Sequence, residues 1–311
     1  MKIALVGLGD IAAKAYLPVI TQMPGIELVF CTRNANTLAS LASQYRITDT
    51  CTDYQQVMAF KPDAVMIHSA TAVHYEMAAF FLSQGVPTFV DKPLASTAQQ
   101  VETLYEQATK AQLPLYVGFN RRHIPLYNQY LTGVQQGALD GLRSLRWEKH
   151  RHQLPGELNT FIFDDFIHPL DSINVSANAS LDDVHITYQT EGSQLARLDV
   201  QWQVGQTLLH ASMNRQFGVT QERVQASYCN EVFEFDSFTS GTHWIEGKAQ
   251  QIAQPDWTPM LASKGFHAML QDWVAVVDAG KLAVETVNRN IASHQLTERL
   301  YQQVRKQIRN A

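Results

Sequence analysis

Cysteine is scarce in this chain: Cys31, Cys51 and Cys229 are the three in 311 residues, and no CxxC spacing links them. An odd, scattered set excludes a disulfide framework or a cysteine zinc site as the organising device, and it fits a reducing, cytoplasmic setting. Long apolar runs are missing as well; none reaches the roughly 18 residues that a membrane span needs. Near the start, Gly7, Gly9 and Asp10 interrupt the apolar stretch too early for the core of a secretory signal. A positive excess is also absent. The net charge of −5 gives no general reason to expect nucleic acid or an anionic membrane as partner. The exception is local, in Arg143, Arg146, Lys149, His150, Arg151 and His152, which reads either as a solvated strand face or as an anion-binding wall. There is no internal repeat, low-complexity tract or evident linker.

What is present suits two globular domains. Hydrophobic residues make up 45% of the chain and charged residues 17%, enough apolar side chains for two cores at this length. In the first third, short apolar runs (Ile3–Val6, Leu28–Cys31, Ala64–Ile67, Thr88–Val90 and Leu115–Gly118) alternate with amphipathic stretches. Asn36 can cap the helix carrying Leu38, Leu41, Ala42 and Tyr45, and Ser96 can open one that runs to about Lys110. Strands separated by helix-length crossovers pair in parallel, and a sheet covered on both faces needs continuously apolar strands. The expectation is an α/β chain. An N-terminal Rossmann domain, a doubly wound parallel sheet, covers 1–121, and an α+β domain with an open, mostly antiparallel sheet covers 122–311. The second half supports this: Ala196, Leu198, Val200, Trp202 and Val204 alternate with Arg197, Asp199, Gln201 and Gln203. That pattern gives a strand with one buried and one wet face. Helices are expected over 158–176, 264–279 and 284–307.

Gly7-Leu8-Gly9-Asp10-Ile11-Ala12 follows the first strand and opens a helix. In this GxGxxA pattern the first glycine allows the tight turn and the second admits a pyrophosphate. The small third residue lets helix and strand pack closely. Amide groups of Asp10, Ile11 and Ala12 at the helix start would face the phosphates. At the end of the second strand an NAD site usually carries a carboxylate, whereas this chain has Thr32-Arg33-Asn34. Arg33, helped by Thr32, points to a 2′-phosphate and so to NADP, with NAD as the alternative.

Val90-Asp91-Lys92-Pro93-Leu94 and Val117-Gly118-Phe119-Asn120-Arg121-Arg122 resemble the glucose–fructose oxidoreductase, inositol dehydrogenase and MocA family, whose hallmark at the first place is Glu-Lys-Pro. The resemblance looks closest to MviM-like members, where Asp-Lys-Pro occurs. It implies a nicotinamide-dependent oxidoreductase acting on a hydroxyl or carbonyl of a small sugar- or polyol-like substrate. Asp91, Lys92, Asn120 and Arg121 would then lie by the cofactor. Ser69 and His74 fall on the family's Thr-Pro…His loop, with Ala70 in place of the proline. Lys92, beyond the carboxyl end of a strand, would hydrogen-bond the oxygen whose charge changes. The family pattern Asp-x-Gly-x-His-x-x-Asp resembles Asp164, His168 and Asp171, and it assigns acid–base work to His168, with Asp164 orienting it or holding a hydroxyl.

If that segment is an α-helix, Asp164 and His168 share a face while Asp165 points to the side. Pro169 can kink it. Phe161, Phe163 and Phe166 stand where the family has glycines and would reshape the substrate cavity. His150, Arg151 and Arg122, joined by Arg215, would suit an acidic or phosphorylated substrate, so Arg122, Arg151 and Asp165 are read as substrate-binding. No metal is expected. A structural His–Asp pair is the competing reading of this segment, and a non-catalytic NADP(H) sensor is that of the whole protein. The small-molecule substrate is the expected partner; the open sheet face leaves a homo-oligomer open.

Overall fold

A computed structural model describes residues 1–310. The chain forms two compact units, Met1–Asn120 with Phe266–Val287, and Arg121–Gly265 with Asn288 onward. The proposed junction at 121 falls at the start of the second unit. The segment Phe266–Val287, placed by sequence in the second domain, belongs to the first.

The first unit is built on β1 (Lys2–Val6), β2 (Glu27–Cys31), β3 (Thr50–Cys51), β4 (Ala64–Ile67), β5 (Thr88–Val90) and β6 (Leu115–Val117). All pairings are parallel, in the order β3-β2-β1-β4-β5-β6. This is the Rossmann order, with its topological switch beside β1. Ile3, Ala4, Leu5 and all four residues of β4 are fully buried, as a sheet covered on both faces requires. β3 is two residues long, too short to leave a sequence signature. Helix starts differ slightly from the sequence reading. The Asn34 side chain, not Asn36, accepts from the Thr37 amide at 3.0 Å to cap Ala35–Tyr45, and Thr97 caps Ala98–Ala111.

The returning helix Phe266–Ala279 explains the discontinuous unit. Its buried stripe of Phe266, Met269, Leu270 and Trp273 packs on aromatics of the sheet and first helix. Trp273 lies 5.8 Å from Phe89 and 5.7 Å from Tyr116, and Phe266 lies 5.4 Å from Tyr16 between ring centres. Tyr116 also donates to Asp272 at 2.7 Å. Burying a tryptophan and a phenylalanine here is worth about 2–3 kcal/mol apiece.

The second unit carries an eight-stranded sheet. Its strands are β7 (Ser144–His150), β8 (His185–Glu191), β9 (Gln194–Val204), β10 (Thr207–Asn214), β11 (Gln221–Tyr228), β12 (Glu231–Phe235), β13 (Ser240–Ile245) and β14 (Lys248–Ala253). Their order is β14-β13-β12-β11-β7-β10-β9-β8, and only β7 with β10 is parallel. The alternation read along β9 holds: Ala196, Leu198, Val200 and Trp202 are buried, while Arg197, Asp199 and Gln201 are half-buried. Leu296, Leu300 and Val304, one turn apart on the helix Val284–Asn310, complete the same core. No helix among the described residues is long and apolar enough to cross a membrane.

Candidate functional site

At the carboxyl ends of β1 to β4 the first unit holds a cavity of about 610 Å³. Gly7, Gly9, Thr32, Arg33 and Ser69 line it together, joined by Asp53, Tyr54, His68 and Glu76, which sequence reasoning did not select. Each of these lies just past a strand end or on the helix Thr71–Ser83, the edge at which open α/β sheets bind ligands. The two glycines do different work. Gly7 has φ +90°, and a Cβ there would stand 2.4 Å from Ser69 Oγ and 2.5 Å from the Ser69 amide nitrogen, so the first turn is packed against the loop after β4. A Cβ on Gly9 would meet nothing within 4 Å. That open space is where a pyrophosphate can approach backbone amides.

Other cofactor candidates have different tasks. Ala12 is buried, whereas Asp10 is exposed and paired with Lys14 at 2.7 Å, and Ile11 is exposed. Asn34 is a helix cap rather than a lining residue. His74 is buried between two carbonyl oxygens, those of Pro93 and Ser69, each 2.8 Å from a ring nitrogen. A neutral imidazole can donate to one of them and an imidazolium to both. Either way the ring ties the loop after β4 to the Lys92-Pro93 turn after β5. Asp91 accepts from Tyr16 at 2.8 Å. Gly118 makes room for that pair, since a Cβ on it would lie 2.8 Å from Tyr16 Oη.

His68, just past β4, sits 4.0 Å from the Tyr16 ring, and both of its ring nitrogens are buried without a hydrogen-bond partner. Burial first, and then His74, pushes its pKa down to about 3. Such a group withstands protonation in the folded chain while the unfolded chain takes up the proton near pH 6.5. Its share of stability is therefore lost progressively as pH falls from about 6.5 toward the folded pKa. His294, pushed down to about 4 by burial, acts in the same direction. His68→Phe is expected to raise the unfolding free energy of the ligand-free protein by about 1–3 kcal/mol. It should also remove about 1.4 kcal/mol of the loss between about pH 7.5 and 5.5, as read by urea titration at the two pH values.

In the second unit, Thr160–Phe166 is a π-helical segment that passes directly into the α-helix Ile167–Ile173. The wider i→i+5 turn changes the expected facing. Asp164 is exposed and His168 is 6% exposed, and Asp165, expected to the side, is buried. Pro169 does not end the helix. The Asp165 carbonyl, one α-turn before it, cannot receive a bond from proline and instead faces Lys149 Nζ at 3.4 Å.

Asp165 gathers cations. Arg151 binds it through Nε at 3.0 Å and Nη2 at 2.9 Å, Arg215 through Nη2 at 2.9 Å, and Lys149 through Nζ. Burial alone would push the Asp165 carboxyl up, but Lys149 and Arg151 outweigh it and hold the group far below the usual carboxylate range. Burial pulls Lys149 down to about 7. Beside them Arg121, expected by the cofactor, is bidentate on Glu222, which also accepts from Trp147 at 2.8 Å. Arg122, expected on the substrate, is bidentate on Asp171 at 2.6 and 2.9 Å, and Ser293 donates to the same carboxylate at 2.8 Å. Asp171 is 1% exposed, so this network ties helix to helix inside the unit. His150 is occupied as well: its Nδ1 accepts from the Asn214 amide at 3.0 Å. No group of three or more His, Cys, Asp or Glu among the described residues is arranged to hold a metal.

The family model described as an oxidoreductase family with an NAD-binding Rossmann fold matches residues 1–119. The YceM oxidoreductase of Salmonella typhimurium is 30% identical over 308 residues, 97% of either chain. This chain belongs to the Gfo/Idh/MocA family. A solved family structure, an oxidoreductase from Vibrio cholerae, is 62% identical and covers 99% of either chain at a TM-score of 0.97. The MviM dehydrogenase from Clostridium difficile, 27% identical, covers 97% of this chain and 99% of its own at a TM-score of 0.88. The MviM-like resemblance read from Asp91-Lys92-Pro93 is thus shown over nearly the whole length. One departure from the Gfo/Idh/MocA pattern changes meaning in three dimensions. Phe161, Phe163 and Phe166 are buried in the hydrophobic core of the second unit and do not fill a substrate cavity. The helical segment turns its aromatic side onto the sheet, and Arg215 covers the Phe161 ring at 4.6 Å.

Proposed function

We propose that this Gfo/Idh/MocA chain is an NADP(H)-preferring dehydrogenase or reductase that moves a hydride between the nicotinamide and a hydroxyl or carbonyl carbon of a small sugar- or polyol-like molecule. The observation that carries the reading is the cavity lined by Gly7, Gly9, Thr32, Arg33 and Ser69. Its glycine turn leaves backbone amides open to a pyrophosphate, and Arg33 is the cation of its lining. Asp53, the carboxylate nearest in chain order to that end of the sheet, is engaged in capping, its side chain accepting from the Gln55 amide at 3.0 Å. A guanidinium without a committed carboxylate at the β2 end suits a 2′-phosphate.

The bound nicotinamide supplies hydride chemistry, and the chain's own groups handle the proton. Lys92 is the candidate donor to the substrate oxygen, and His168 is the candidate acid–base group. Asp164 is the candidate partner for a second hydroxyl. The His74 tie between the Ser69 and Pro93 carbonyls supports the role of Lys92, because it fixes the turn on which the lysine stands. A fluorescence titration with NADPH and NADH tests the cofactor reading. Arg33→Ala is expected to raise the NADPH Kd about tenfold and leave that of NADH nearly unchanged. Equal loss for both nucleotides would remove the case for NADP, and no binding of either to the wild type would remove the function.

A further inference from the structure

We propose that the cations gathered on Asp165 form an anion subsite in which Arg151 and Arg215 receive a carboxylate or phosphate group of the substrate. The inference rests on the oxidoreductase reading and narrows its substrate to an anionic hydroxy or oxo compound.

The charge count within the second unit motivates it. One carboxylate, Asp165, holds Lys149, Arg151 and Arg215. The adjoining Arg121–Glu222 pair is balanced. Four basic side chains therefore face two carboxylates in a site where the side chains of Lys149 and Arg215 are 4% and 5% exposed. Uncompensated positive charge is costly to bury, and a ligand oxyanion removes that cost. The placement of the donors agrees. Arg151 reaches Asp165 through Nε and Nη2, and Arg215 through Nη2, so Nη1 of both guanidiniums makes no bond to the protein. Planar guanidinium forks held rigid by a shared carboxylate match the geometry of carboxylate and phosphate oxygens. Arg215 is further fixed against the Phe161 ring, and the Arg151 side chain, 33% exposed, forms the open end of the cluster. Asp165 is three residues from His168, so an anion held here would be anchored on the same helical segment as the acid–base candidate. The sequence points to Arg151 with Arg122 and His150, joined by Arg215. Arg122 and His150 are bonded to Asp171 and to the Asn214 amide, while Arg215 and Lys149 meet Arg151 on Asp165.

The test is calorimetric titration of inorganic phosphate, and separately malonate, into the full chain at constant ionic strength. The same titrations are made on Arg151→Gln, Arg151→Lys and Gly9→Trp. One saturable site is expected in the wild type, kept in Gly9→Trp, weakened at least about tenfold in Arg151→Gln and partly restored in Arg151→Lys. Malonate displacing phosphate assigns a carboxylate-tolerant subsite, and phosphate alone assigns a phosphate subsite. Binding lost in Gly9→Trp but kept in Arg151→Gln places the ion on the dinucleotide turn and overturns the proposal. So does an absence of saturable binding in the wild type. A parallel NADPH titration of the wild type separates the two readings. If NADPH binds and phosphate does not, the subsite alone falls; if phosphate behaves as expected and NADPH does not bind, the oxidoreductase reading falls.

Discussion

Replacing Gly9 with tryptophan is expected to weaken NADPH binding by more than about 100-fold while leaving the unfolding free energy within about 0.5 kcal/mol of wild type. The reason is geometric. A Cβ on Gly9 meets no atom within 4 Å, so the indole has room to stand without distorting the fold, but the space it takes is the cavity a pyrophosphate would enter. Gly7→Ala should behave in the opposite way. Its φ of +90° is strained for alanine, and the methyl would lie 2.4 Å from Ser69 Oγ and 2.7 Å from Ser69 Cα. A cost of about 2 kcal/mol or more in stability is expected, with binding affected only through the shifted turn. Chemical denaturation and nucleotide fluorescence on the two variants separate these effects. Equal destabilisation by both would show that the turn is purely structural.

The second large effect is expected at Asp165. Asp165→Asn removes the shared anion from Lys149, Arg151 and Arg215, leaving buried cations against one another, and should cost about 3–5 kcal/mol. Asp164→Asn, one residue away but exposed, should change stability by less than about 0.5 kcal/mol. The pH dependence gives an independent check. The folded chain holds the Asp165 carboxyl far below its unfolded value near pH 4, so its contribution is complete above about pH 4 and is lost as pH falls toward the folded value. That acid-induced loss should be smaller in Asp165→Asn. It is distinct from the loss expected between about pH 6.5 and 4, which belongs to His68 and His294.

Much of the first unit was legible because its signals are local. Apolar strands, intervening helices and Gly7-x-Gly9 occupy consecutive stretches, and sheet order follows from the crossover rule. Thr32 and Arg33 stand out because they follow a strand end, and Ser69 through the family's loop pattern; all three line the cavity with the glycines. His68, Asp53 and Glu76 escaped notice because nothing in their neighbourhood marks them; they reach the cavity through the packing of separate strands and a helix. The burial of Asp165 escaped notice for a different reason. Spacing arguments assume an α-helix, and the π-helical turn over Thr160–Phe166 moves Asp165 inward and Asp164 outward. The pairing of Arg121 with Glu222 and of Arg122 with Asp171 was not legible, because the carboxylates lie far along the chain.

The aromatic seam between Phe89, Tyr116 and Trp273 also has a temporal meaning. During synthesis the six parallel strands emerge first, but the helix that covers their aromatic side arrives only after the whole eight-stranded sheet has been made. For that interval the nascent nucleotide-binding unit carries an uncovered apolar flank, a condition that favours chaperone capture or association with other unfinished chains. The second sheet, whose core also recruits Leu296, Leu300 and Val304 from the helix Val284–Asn310, waits on a segment made later still. Both halves of the molecule are therefore completed only after the second sheet has been made, and a chain cut short before Phe266 would leave both of them open.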